Sequence, residues 1–525
     1  MIEGGLAIVL HAHLPFVRHS ERDDVLEERW LFEAITESYI PLLEVLSGLA
    51  RDAVPVRLTI SLSPSLLGML SDRLLRTRYL NHLDRLVELA EREERRTRHQ
   101  PTLNKLARMY FARFCRVRTV FLDEWQRDLV AAFRAFQDQG LVEVITSAAT
   151  HGCLPLLSTC PGAVRAQVEV AVAEYGRFFG GTPRGFWLPE CAYEPGIDAD
   201  LARVGVRYFI VDTHGVAHAT PRPAHGVYAP IVCDSGVAAF GRDPDSVKQL
   251  WSAEEGFPGD PWYRDPRRDI GLELDLEQLS PHLPPDQRRV LTGIKYHRIT
   301  GSNGAQELYD PDWARGVVQQ HAAQFVEARR RQAAWLAEHM DRPPIIVCPY
   351  DAELFGRGWF EGPQWLDQVL RRVALTAGLA AITPSDDLER HPTVQRATPA
   401  SSTWGGKGYL ESWLSPSNDW IYRHLHVIGE RLHALCRRYP SADERTRRAL
   451  TQALRELLLA QSSDWALMMS MENTADYAAQ RTRDHLLRCQ RLCDEVESGS
   501  VDDLGLASLE DTDNIFPALD YRVLL

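Results

Sequence analysis

The sequence predicts an α/β fold: a parallel (β/α) barrel with helical insertions, followed by an all-helical C-terminal domain. Three observations predict it. Short apolar runs alternate with helical patterns from Leu6 to about residue 384, the signature of βα units and a parallel sheet. Polar residues fall at the C-terminal ends of several runs: His11 and His13, His151, Glu190, Asp212 and His214, and Asp351. A barrel gathers groups from many strand ends in this way, whereas an open sheet concentrates them at one switch point. Beyond residue 400 the runs give way to long helical patterns with few breakers.

Leu6 to Leu10 is a continuous apolar run, read as a strand buried on both faces, and His11 and His13 beyond it point the same way. Helical spacing follows from about Leu26 to Ala50, then a strand from Val56 to Leu62 closed by Ser63-Pro64. Residues 65–139 are charged and almost free of glycine, which predicts an insertion of two or three helices. A strand over Val142 to Ser147 runs into His151, and a helix at about 161–180 precedes the run Gly185 to Leu188. Pro189 cannot donate to a ladder, so that strand should stop there and leave Glu190 at its tip. A short helix near 198–204 and a strand over Val206 to Val211 come next.

Residues 216–285 are rich in Pro, Gly, Asp and Trp and predict a long loop excursion; long ordered loops in compact domains are usually functional. A helix at 311–340, a strand over Ile345 to Val347, a helix at 362–377 and a strand over Leu379 to Ile382 complete the alternation. Further on, Ser401 to Trp413 is a glycine- and Trp-rich loop, and Asn418 or Asp419 is expected to cap a helix starting near Trp420. Helices continue to about 497, and the tail 500–525 is expected to be irregular. The predicted division is a barrel over 1–215 and 286–395, an inserted segment 216–285 over its mouth, and a helical domain 396–525 that contributes to the substrate cleft.

Composition narrows the function. The chain has 525 residues, 45% hydrophobic and 25% charged, with a net charge of −13 and no basic stripe. Nucleic acid and anionic membrane are poor partners for such a surface. The nine cysteines include no Cys-x-x-Cys pair, and several sit in apolar runs, which points to a reducing compartment. No run approaches a membrane span and the N-terminus lacks a basic leader, so a cytoplasmic protein is expected.

Two chemistries suit the strand-end residues. In a metal-dependent hydrolase, His11 and His13, a later His and a late Asp would hold a cation that activates water. In glycoside chemistry two carboxylates flank the scissile bond, and Glu190 and Asp351, each behind a strand-end proline, form such a pair. Trp251, Trp262, Trp359, Trp404 and Trp413 lie in loops or beside strand ends, where flat rings can stack on sugar faces. They weigh toward the second chemistry.

Four motifs carry a resemblance: His11-Ala12-His13-Leu14-Pro15-Phe16, Ala149-Thr150-His151-Gly152, Trp187-Leu188-Pro189-Glu190-Cys191-Ala192-Tyr193, and Tyr350-Asp351-Ala352-Glu353-Leu354-Phe355-Gly356. In this order they resemble family-57 glycoside hydrolases, and Ser402-Thr403-Trp404-Gly405 with Ser463-Asp464-Trp465 resembles that family's branching-enzyme group. The resemblance covers essentially the whole chain. It implies a (β/α)₇ barrel and a retaining reaction on α-1,4-glucans such as amylose or glycogen, with no metal and no cofactor. It makes Glu190 the nucleophile and Asp351 the general acid/base, and it makes His11, His13 and His151 donors to the sugar. Arg264, Trp404, Trp413 and Asp464 are expected to line the cleft.

The expected activity is therefore that of a 1,4-α-glucan branching enzyme. An α-amylase or 4-α-glucanotransferase on the same scaffold is the alternative, and a metal hydrolase a more distant one. Two departures bear on that choice. The Tyr-tipped loop of branching members is shortened, with Tyr228 the nearby candidate, and Arg357-Gly358-Trp359 stands where His-Trp-Trp is common.

Overall fold

The computed structural model describes residues 4–525 except 24, 253–254, 280–281, 285–286, 301–305 and 472. Ten strands occur among them: β1 (Gly4–Ala12), β2 (Leu58–Leu62), β3 (Val142–Ser147), β4 (Gly185–Trp187), β5 (Tyr208–Val211), β6 (Ile231–Val232), β7 (Ala238–Gly241), β8 (Ile345–Asp351), β9 (Leu379–Ala381) and β10 (Gln395–Arg396). Seven form a curled wall in the order β7-β5-β4-β3-β2-β1-β8, with every neighbouring pair parallel. Its two ends meet at a thin seam. There Asp243 N–H donates to the Val347 carbonyl at 2.8 Å and Ile345 N–H to the Tyr228 carbonyl at 2.9 Å. The wall is thus a seven-stranded barrel closed by isolated bonds rather than by a ladder.

Alternation along the strands sorts the residues into two layers. In β1, Leu6, Ile8 and Leu10 join the outer core beneath the helices, while Ala7 and Val9 join Ile145, Trp187, Ile210, Phe240, Ile345 and Val347 inside the barrel. The next inward position on β1 is His11. On β8 the inward row begun by Ile345 and Val347 reaches Asp351, which lies in register with His11. The chemistry-bearing side chains therefore continue the rows that fill the barrel.

Three expectations about the barrel and its helical insertion are corrected. Residues 216–285 are not loop throughout, because β7 within them is a wall strand paired with β5. Its sequence, Ala-Ala-Phe-Gly, has no β-branched residue to announce a strand. The predicted strand at Leu379 pairs only with Gly4, Gly5 and Leu6 and is an addition to β1, not part of the ring. The insertion holds four helices, Pro64–Ser71, Arg73–Arg96, Pro101–Thr119 and Leu129–Asp138. Asp72 and Asp128, which accept the Leu75 and Ala131 N–H groups, start the second and fourth.

The C-terminal helices are Trp420–Arg438, Glu444–Ala460, Ser463–Met469, Ala475–Ser498 and Asp503–Thr512, so the tail is not wholly irregular. No side chain caps the first of them. Asn418 instead ties the preceding loop to the next domain layer, donating to the Ser412 and Ala466 carbonyls and accepting the Ser415 N–H. Among the described residues no helix is long and apolar enough to cross a membrane.

Candidate active site

Glu190 occupies a short turn that leaves β4 at Pro189. Its φ of 62° and that of Cys191, 47°, lie in the left-handed region, which costs a non-glycine residue about 1–2 kcal/mol. His151, behind β3, has a φ of 59°. Bonds from the C-terminal part of the chain hold both strained turns. Trp404 N–H donates to the Glu190 carbonyl at 3.0 Å, and Ser463 N–H to the His151 carbonyl at 3.0 Å. Strain stored where the surroundings over-determine the backbone is common at functional sites.

These turns open on a cleft of about 520 Å³ at the C-terminal ends of the strands. His11, His13, His151, Glu190, Asp351, Glu353, Trp251, Trp404 and Asp464 all line it. β4 and β8 lie on opposite sides of the seven-stranded wall, so Glu190 and Asp351 face each other across the mouth. Trp187 forms the floor, stacked on His11 with centroids 4.6 Å apart and edge-on to Trp404 at 5.2 Å.

The two carboxyls sit in different surroundings. Burial raises Glu190, while hydrogen bonds from Ser463 and Trp404 work to lower it, leaving it at about 7. Those bonds are 2.7 Å from Ser463 Oγ to Oε1 and 2.8 Å from Trp404 Nε1 to Oε2. Asp351 has no such donor among the described residues. Burial first, then the charges of Glu353 and Glu190, push it well above the ordinary carboxylate range. A carboxylate held by two donors faces an acid that keeps its proton.

The histidines form one cluster. His11 Nδ1 lies 3.1 Å from Ser61 Oγ, and its Nε2 2.9 Å from His151 Nε2. His13 bridges Ser63 Oγ and Asp464 Oδ2, both at 2.8 Å. Burial works against ionisation of Asp464, yet the His13 partnership and the Ser462 hydroxyl carry it down to about 2. His13, His151 and Asp464 are close enough to share a cation. The ring nitrogens of all three histidines are already engaged with one another, with Ser61, Ser63 and Ser463, or with Asp464. A metal there would have to displace those bonds.

The structure does not bring every expected residue to the cleft. Arg264 is buried elsewhere: its guanidinium pairs with Glu37 at 3.2 Å, reaches Tyr110 Oη and the Gly293 carbonyl at 3.3 Å, and stacks over Phe360. Arg264→Met should lower unfolding stability by about 3 kcal/mol, read from urea midpoints, because Glu37 would lose a buried partner. Trp413 lies under the 401–413 loop, only 2% exposed. Trp359 packs with Tyr263 and Trp365 in the core. Trp262 stacks on Trp313 instead of lining the cleft. Asp212 and His214 brace the site from behind: Asp212 pairs with Arg242 at 2.7 Å, and His214 donates to the Gly408 carbonyl at 2.7 Å. Gly408 has a φ of 85°, and a Cβ there would sit 2.9 Å from the His214 ring. Tyr228 lies at the opposite end of the barrel, where its carbonyl meets Ile345 at the start of β8.

Four contributors escaped the sequence reading. Ser61 lies opposite His11 in the β1–β2 register, and Ser63, just beyond β2, meets His13. Ser463 and Glu353 sit inside quoted motifs, but only their neighbours Asp464 and Asp351 were singled out. Glu353 accepts the His13 N–H at 3.2 Å and a close hydrogen bond from Tyr39 Oη. Arg357, at the position where His is common, lines the cleft and pairs with Glu33 at 3.3 Å.

Comparison with known proteins places this geometry in a lineage. Residues 7–398 match the sequence model of glycosyl hydrolase family 57, and residues 424–524 that of the 1,4-alpha-glucan branching enzyme C-terminal region. The chain is 33% identical to a 1,4-alpha-glucan branching enzyme of Thermococcus kodakarensis over 555 aligned residues, covering 98% of this chain and 78% of that protein. The crystal structure of the alpha-amylase AmyC from Thermotoga maritima superposes with a TM-score of 0.93 at 42% identity, covering 100% of this chain and 99% of that one. The branching enzyme of Pyrococcus horikoshii superposes with a TM-score of 0.90 at 31% identity, covering 100% and 97%.

Proposed function

The chain belongs to glycosyl hydrolase family 57, and from that premise we propose that it is a retaining 1,4-α-glucan branching enzyme. The observation that carries the chemistry is the pair Glu190 and Asp351, facing each other across one cleft, both raised by burial but only Glu190 held by two hydrogen-bond donors. Glu190 attacks the anomeric carbon to give a β-glycosyl-enzyme while Asp351 protonates the departing O4. Asp351, now a carboxylate, takes the proton from a 6-hydroxyl of an acceptor chain, and an α-1,6 branch forms. Trp404 and Trp251 offer ring faces to the glucan, and Asp464 with His13 offers an anionic hydrogen-bonding partner for its hydroxyls. We assign the barrel, with its insertions, as the catalytic unit, and the C-terminal helices as the second wall of the cleft. Glycogen synthesis in the cytoplasm is the setting we propose.

A second reading, hydrolysis by an α-amylase, is favoured by one observation. Tyr228 lies at the far end of the barrel, so it cannot shield the acceptor side from water. Incubation with amylose separates the two readings: proton NMR counts new α-1,6 anomeric signals against new reducing ends. Branching predicts that α-1,6 linkages outnumber reducing ends. Reducing ends without new branches would transfer the assignment to amylase.

A further inference from the structure

We propose that Ser61, His11, His151 and Ser463 form a one-way hydrogen-bond relay that ends on Glu190 and makes Ser463 its obligate donor. This rests on the reading of Glu190 as nucleophile and assigns positioning roles that the family resemblance did not supply. The direction follows from donor and acceptor counts. An ionised Glu190 can only accept, so Ser463 gives its single proton to Oε1 at 2.7 Å. The Ser463 oxygen must then accept from His151 Nδ1, 2.9 Å away, and that nitrogen carries the proton.

Burial pushes both His151 and His11 well below the ordinary imidazole range, so each ring is neutral and has one N–H. His151 Nε2 is therefore bare and accepts from His11 Nε2 at 2.9 Å. Two bare nitrogens, or two N–H groups, would repel at that distance. His11 Nδ1 is left bare and accepts the Ser61 hydroxyl at 3.1 Å. Every tautomer is thus assigned by the network.

The relay does what a lone serine could not. A free hydroxyl rotates among partners, but with His151 Nδ1–H donating to the Ser463 oxygen, the acceptor left for the Ser463 proton is Glu190 Oε1. Without His11 the His151 ring is free to adopt the other tautomer. Its Nδ1 would then compete for the Ser463 proton, and Glu190 would lose a donor to a change at a residue it does not touch. The other groups facing Glu190 do not substitute. Asp464 opposes its ionisation and His13 favours it. Asp351 stands across the cleft, and burial keeps the Cys153 and Cys191 thiols and the Tyr422 phenol neutral.

The experiment measures kcat/KM on amylose from about pH 5 to about pH 9 in Ser463→Ala, His11→Gln, the double variant and Ser463→Thr. Both single variants should raise the acid limb by about 1 pH unit, a roughly tenfold loss on the acid side. The double variant should move it no further, because one chain is broken in both. Ser463→Thr, which keeps the hydroxyl, should restore it. Nitrogen NMR of ¹⁵N-histidine-labelled wild-type protein should show the proton on Nδ1 of His151 and on Nε2 of His11. A His11→Gln enzyme with higher KM and an unmoved limb, additive shifts in the double variant, or the opposite His151 tautomer would overturn the relay. Glu190→Gln is assayed alongside: activity surviving there topples the functional reading itself, whereas its loss with an unmoved limb in Ser463→Ala topples the relay alone.

Discussion

Glu190→Gln should lose turnover on amylose by ~10⁴–10⁶-fold, the scale expected when a covalent nucleophile is removed. The amide is isosteric, and it can still accept from Ser463 or Trp404, so folding should persist and thermal unfolding should confirm it. What the amide lacks is a charged oxygen to attack carbon. The measurement that separates loss of chemistry from loss of binding is trapping. Wild-type enzyme quenched in acid during turnover of a glucosyl fluoride should carry glucosyl units on the peptide containing Glu190, and the variant should carry none. An adduct on another carboxylate would reassign the nucleophile. Burial, against the Ser463 and Trp404 hydrogen bonds, carries the Glu190 carboxyl up to about 7. Activity on the acid side should therefore fall as pH drops through that value, because protonation removes the attacking charge.

How much of this was legible beforehand follows physical lines. β1, β4 and β8 stand out in sequence because parallel strands buried on both faces become nearly continuous apolar runs. β7 did not, since Ala238, Ala239 and Gly241 are small residues without strong strand preference, and Ala238 and Phe240 alone of the four face the barrel interior. The barrel's seven-fold count came from the motif resemblance; spacing alone left the number open. Helix boundaries inside 65–139 were missed because Asp72 and Asp128 caps look like ordinary surface acids until the backbone N–H groups they satisfy are seen.

The site divides in the same way. Glu190, Asp351 and the three histidines were visible because each ends a strand, and a strand end fixes where a side chain goes. Ser463 was not, because its partner Glu190 is 273 residues away and serine is common everywhere. Arg264, Trp359 and Trp413 were misplaced for a shared reason: they lie in glycine- and proline-rich sequence that reads as exposed. In the structure large side chains from such loops pack beneath them, and Arg264 follows because Glu37 offers it a buried partner. Loop composition reports backbone freedom, not the direction of a side chain.

Asp351→Asn should lose ~10²–10⁴-fold on amylose, the usual span for a general acid/base, and its signature should be chemical. A substrate whose leaving group needs no proton, such as a glucosyl fluoride, should still glycosylate Glu190, so the loss should move to the second step and the adduct should accumulate. Azide needs no deprotonation before it attacks. It should therefore restore turnover and give an α-linked glucosyl azide, because attack on a β-glycosyl-enzyme inverts it once more. A β-linked azide would mean direct displacement and would remove Glu190 from the mechanism. The pH profile supplies an independent check. Asp351 is raised well above its ordinary range by burial, Glu353 and Glu190, so in the wild type activity should be lost as pH rises through its value and the acid deprotonates. In Asp351→Asn that alkaline limb should vanish while the acid limb near 7, which belongs to Glu190, stays in place. The two limbs then report two carboxyls whose surroundings have been driven apart, which is what one acid and one nucleophile in a single cleft require.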